Sequence, residues 1–157
     1  MRNLCAPLLV MLMATPLTAQ TRHEGYYYPA VTSTEVFDRV LEITPPANRD
    51  IRIEFATMLT ISQREVPYAP RYSAFAKGAD ADSLIIVALD DEVFRTLYRA
   101  RAVMARVTSN IRATEFFMAQ GLQFSGTFYD MLQILQFNSL TLTDGESWTH
   151  QVQFKRR

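Results

Sequence analysis

Six consecutive apolar residues, Leu84-Ile85-Ile86-Val87-Ala88-Leu89, constrain this chain more than any other stretch. A run of that length makes one strand. A strand apolar on both faces belongs inside a sheet that is covered on both sides. Upstream, Arg71 to Lys77 forms a second arm, and Gly78-Ala79-Asp80-Ala81-Asp82 lies between the two. Together they predict a hairpin with a polar tip. Leu140 to Thr143 and Trp148 to Phe154 make a further pair around Asp144-Gly145, a dipeptide that favours tight reversals.

Other segments carry helical signals. Glu35 stands three residues after Thr32, and Val36, Phe37, Val40 and Leu41 follow at helical spacing, which predicts a short helix ending before Thr44. Pro45-Pro46 bars its continuation. Ile51, Ile53, Phe55 and Thr57 alternate with polar or small residues, so Ile51 to Ile61 reads as a strand. Asp90-Asp91 can cap a helix whose stripe is Val93, Phe94, Leu97, Ala100, Met104 and Val107, with Thr108-Ser109-Asn110 interrupting it. A second helix runs near Arg112 to Gln120 and stops at Gly121. Thr127 with Asp130 opens a third, ending near Asn138. The expected fold is α+β: an antiparallel sheet of about five strands with three or four helices packed mainly on one face.

The first nineteen residues stand apart. Arg2, the apolar run Leu8 to Met13 and the small-residue end Leu17-Thr18-Ala19 have the layout of a secretory signal peptide, too short to span a membrane. Residues 20–157 then form a single domain with a Tyr-rich arm over 20–30. Cys5 is the only cysteine and falls in the leader, so cleavage leaves no disulfide, thiol nucleophile or Cys-zinc site. A core must hold the fold alone. Fourteen Arg against two Lys suggest a GC-rich genome, and with the leader a bacterial periplasm. The 16 basic and 16 acidic residues balance, which argues against a nucleic-acid binder. No later run has the length of a membrane span.

Several residues can carry chemistry. His150 shares one face of the last strand with Trp148, Val152 and Phe154. A buried imidazole has a lowered pKa and can serve as a base. No neighbour in sequence supplies a nucleophile or carboxylate, so a hydrogen-bonded structural histidine is the simpler reading. Asp90 and Asp91 at a strand-to-helix junction can bind a cation or act as acid and base; helix capping explains them without a partner. His150, Asp90 and Asp91 make the candidate pocket. Arg95, Arg99 and Arg106 fall on one helical face and form a candidate anion or partner face, although such arginines often pair locally, as Arg95 can with Asp91. Tyr26, Tyr27 and Tyr28 form a candidate partner arm, or pack onto the sheet. His23 and Glu24 lack metal-ligand spacing, and Asp80 and Asp82 fit a solvated turn. No catalytic residue, metal or cofactor is assigned. There is no G-x-S-x-G, Walker A, G-x-G-x-x-G or C-x-x-C motif.

Certain stretches look familiar together: His23-Glu24-Gly25-Tyr26-Tyr27-Tyr28-Pro29, Phe75-Ala76-Lys77-Gly78, Val87-Ala88-Leu89-Asp90-Asp91, Leu97-Tyr98-Arg99-Ala100-Arg101-Ala102, Phe128-Tyr129-Asp130-Met131 and Leu140-Thr141-Leu142-Thr143-Asp144-Gly145. Through them the chain resembles a small exported family of alphaproteobacteria of Rhodobacter type. Some members bear the label molybdopterin-guanine dinucleotide biosynthesis protein A. The guanylyltransferases of that name open with a Gly-rich L-A-G-G-x-S-x-R-M-G loop, which this chain lacks, so no catalytic residue carries over. The leading expectation is a periplasmic binding or accessory protein with a protein or envelope partner. The alternatives are that guanylyltransferase label and a small periplasmic enzyme using His150 or Asp90 and Asp91.

Overall fold

The computed structural model describes residues 28–39, 41, 47–64, 69–90 and 92–155. The predicted leader, His23-Glu24, Tyr26, Tyr27 and Asp91 lie outside the described residues. Nine elements follow in chain order: β1 (Ser33–Phe37), α1 (Arg49–Ile61), β2 (Tyr72–Lys77), β3 (Ser83–Ala88), α2 (Leu97–Arg112), α3 (Glu115–Ala119), α4 (Phe128–Ile134), β4 (Ser139–Thr143) and β5 (Thr149–Phe154). The class is α+β, as expected.

The sheet is mixed rather than antiparallel. Its order is β1-β5-β4-β3-β2. Both hairpins read from sequence are present: β2 with β3, and β4 with β5, each antiparallel. The two remaining pairs, β3 with β4 and β1 with β5, are parallel. Connection length explains the difference. Short reversals join antiparallel strands, whereas β3 reaches β4 only through the helical stretch α2 to α4, and a long crossover returns the chain in the same direction.

Two element types are exchanged relative to expectation. The segment read as a helix after Thr32 is β1. Ser33, Glu35 and Phe37 turn inward while Thr34 and Val36 turn out. Thr32 does not cap a helix; its hydroxyl donates to the Thr149 carbonyl at 2.6 Å, at the start of the β1–β5 ladder. The segment read as a strand over Ile51 to Ile61 is α1. Asn48 caps it, its side chain accepting from Ile51 N at 2.9 Å. Its buried residues are Arg52, Ala56 and Leu59, a helical spacing hidden because one member is an arginine. Arg52, 6% exposed, donates to the Asp80 carbonyl from Nε (3.0 Å) and Nη2 (2.8 Å) and to the Leu135 carbonyl from Nη1 (3.3 Å). It thereby stitches α1 to the β2–β3 tip and to the end of α4.

The helix after β3 begins later than Asp90-Asp91 would place it. Thr96 is its cap, accepting from Arg99 N, and Asp90 instead turns back on Glu92 N at 3.1 Å. Thr108-Ser109-Asn110 does not interrupt α2, because Thr108 faces α4 and accepts the Phe128 N–H at 3.0 Å. Gly121 sits at φ +68° just past α3, where a side chain would be strained. The Thr127–Asp130 capping box is present. Asp130 is fully buried; its Oδ2 accepts from Thr127 N (2.7 Å) and from Arg39 Nη1 (2.9 Å). Leu84, Ile86, Leu140, Leu142 and Val152 meet Ala100, Met104, Phe128 and Leu132 in one core on a single side of the sheet.

Candidate functional site

Two polar regions bracket this core. The first surrounds His150, placed on the core face of β5 with Val152 and Phe154 as the alternation requires. The imidazole is 2% exposed and stacks on Trp148 with ring centroids 6.1 Å apart. The partners that local sequence did not supply come from β1. Ser33 Oγ lies 2.8 Å from Nδ1, and Glu35 Oε2 lies 3.6 Å from Nε2. The direction of the Ser33–Nδ1 hydrogen bond is set by which ring nitrogen carries the proton. Nε2 itself makes no hydrogen bond. Glu35 also pairs with Arg101 Nη2 at 3.0 Å and with the Tyr129 hydroxyl.

Serine, imidazole and carboxylate in this order are the ingredients of a nucleophile and its base. The burial decides against that use. Burial lowers the His150 pKa, while Glu35 raises it and Arg101 lowers it again. The Tyr129 phenol is pushed up to about 12, chiefly by burial and then by the Glu35 charge. The ring is buried and stacked on Trp148, so it offers almost no surface to a substrate. The parallel β1–β5 register sets Ser33 opposite His150 across 117 residues of chain, a proximity no local pattern carries.

The second region is an open groove of about 760 Å³ between the end of α1, the start of β2 and one flank of α2. It holds Asp90 and two of the three predicted arginines, Arg99 and Arg106. His150 is not part of it: β4 and β3 separate β5 from the groove edge. The candidate set of His150 with Asp90 is thus split between two places. Arg95 is not in the groove either, because it precedes the Thr96 cap and so does not share the helical face. Arg95 and Arg99 both pair with Glu92, Arg95 at 3.2 Å; the expected Arg95–Asp91 pair involves a residue outside the described ones. Burial of these exposed pairs is slight, and the two arginine contacts hold the Glu92 carboxyl below its usual range.

The groove adds residues that sequence reasoning did not single out. Arg71 lies just before β2, held by its carbonyl, which accepts Leu89 N–H at 2.9 Å. Tyr72 forms part of the floor, 4% exposed, and its hydroxyl accepts from Gln63 Nε2 at 3.1 Å. Burial raises the Tyr72 pKa, with Arg106 and Gln63 opposing. The guanidinium groups of Arg71 and Arg106 have no carboxylate partner among the described residues. Val93, Val103 and Val107 form an apolar wall beside them. Arg106 was legible as part of a helical arginine face, whereas Arg71 at a strand start reads as ordinary surface in sequence; only the fold brings it to the same groove.

Among the described residues, no group of three or more His, Cys, Asp or Glu is placed to hold a metal ion, and no helix is long and apolar enough to cross a membrane. The fold and groove define a mixed-sheet α+β domain with an arginine-lined cleft. Compared with known proteins, the chain matches no family model, no curated protein and no solved structure.

Proposed function

We propose that this is a non-enzymatic binding or accessory protein, exported to the periplasm through residues 1–19, and that the groove is its contact site. One observation carries the reading: two guanidinium groups without carboxylate partners among the described residues, Arg71 and Arg106, line the same open cleft. Other exposed arginines nearby do meet acids, Arg95 and Arg99 at Glu92 and Arg101 at Glu35. Leaving two of them free in a concavity sized for a ligand supports recognition. The sealed state of His150 counts against catalysis there.

The test compares the tagged protein with an Arg71→Ala/Arg106→Ala variant on native periplasmic extract and solubilised membranes. A stoichiometric component held by the first and lost by the second supports the reading. Turnover of a chromogenic ester by the purified protein, abolished in Ser33→Ala and kept in the groove variant, would replace it with a hydrolase built on Ser33, His150 and Glu35.

A further inference from the structure

The chemistry of the groove narrows what it takes. Its donors are clustered. Arg71 and Tyr72 are consecutive at the start of β2, and Arg106 on α2 lies near enough for its charge to act on the Tyr72 phenol. The Tyr72 oxygen already accepts from Gln63, so its own proton is the part left to give. Two guanidinium forks and a phenol proton line one cleft, which suits an oxyanion with several acceptor lone pairs. Of the two acids in the groove, Glu92 is occupied by Arg95 and Arg99, and among the described residues Asp90 then sets one carboxylate against two guanidinium groups, which leaves the cleft net positive.

The rest of the wall has the opposite character. Val93 and Val107 are already buried in the core, but Ala69 and Ala102 are exposed and Val103 is half-buried, so part of the apolar wall stays open to the groove. A bare inorganic ion would leave this wall wet. A ligand with an apolar body covers it and gains from the burial.

We infer that the groove binds a small organic acid, its carboxylate or phosphate head held by Arg71, Arg106 and Tyr72 and its apolar body laid against Ala102 and Val103 of α2. This deepens the binding-protein reading and rests on it.

Calorimetric titration of the purified protein tests this with four probes: octanoate, phenyl phosphate, inorganic phosphate and the uncharged octanol. Saturable one-to-one binding of octanoate or phenyl phosphate, about tenfold or more tighter than inorganic phosphate and octanol, is expected. The tighter of the two acids identifies the head group. Arg71→Ala and Arg106→Ala should each weaken binding about tenfold, and Tyr72→Phe less. Arg95→Ala, outside the groove, should leave it unchanged. Circular dichroism of each variant separates lost binding from lost fold. Absence of saturable binding, or equal weakening by Arg95→Ala, would overturn the inference. If small acids fail to bind while a macromolecular component is still captured through Arg71 and Arg106, this inference falls and the binding-protein reading stands.

Discussion

The His150 cluster and the groove are assembled from similar residues, yet they settle their charges in opposite ways. Around His150, every charged group faces a partner: Glu35 meets Arg101, Tyr129 and the imidazole. In the groove, Arg71 and Arg106 face solvent. Arg52 sharpens the contrast, being an arginine with three hydrogen bonds to backbone carbonyls and 6% exposure. Satisfied and buried polar groups hold a fold together; unsatisfied and exposed ones are available to something else. Residue type alone does not separate the two roles.

That contrast can be broken at its strong end first. Arg52→Ala removes the donor for the Asp80 and Leu135 carbonyls and opens space beneath α1, and should cost about 3 kcal/mol in urea unfolding. His150→Ala should cost somewhat less, about 2 kcal/mol, from the cavity under Trp148 and the lost Ser33 contact. If His150→Ala unfolds with the wild-type midpoint, the sealed region is not structural; the same result for Arg52→Ala would mean that its carbonyl contacts do not hold α1 in place.

Acid and base approach the sealed region from two sides. Burial holds His150 below its ordinary value of 6.5, so the unfolded chain takes up that proton first as pH falls. Its contribution is fully present above about pH 6.5 and is lost as pH falls toward the folded value; His150→Gln should flatten this limb. Tyr129 behaves in mirror image. Its phenol ionises near 10 when unfolded and at about 12 when folded, so stability drains as pH rises from 10 toward 12. Tyr129→Phe should remove part of that loss, read by denaturation midpoints across the pH range. At the weak end, Arg71→Ala and Arg106→Ala should each shift stability by less than about 0.5 kcal/mol while weakening groove binding about tenfold. A large loss of stability in either would place the groove with the sealed region.

Local chemistry was readable wherever it was self-contained. Asp144-Gly145 marks the β4–β5 reversal: the aspartate accepts from the backbone N–H groups of Glu146, Ser147 and Trp148, and the glycine takes φ +84°. Thr127 and Asp130 cap α4 as their spacing implies. The errors arose where local and distant demands compete. Thr32 to Leu41 has a helix-opening pattern, but pairing with β5 and the inward alternation of Ser33, Glu35 and Phe37 prevail. In α1 the buried arginine disguises the helical stripe. Asp90-Asp91 offers a cap, but Thr96 sits where the apolar stripe needs the helix to begin. Half of the groove was visible as Arg99 and Arg106; Arg71 was not, because its meeting with α2 depends on how two elements pack.

The parallel edge has a consequence in time. β1 comes first among the described strands, and among them it pairs with β5 alone, with Ser33 against His150 and Phe37 against Phe154. A polypeptide emerging or threading N-terminus first must therefore keep this edge unmade until β5 arrives. Loss of even the last strand through a premature stop would strand both β1 and β4 without their shared neighbour. Such late closure favours slow, all-at-once assembly over piecewise folding during synthesis.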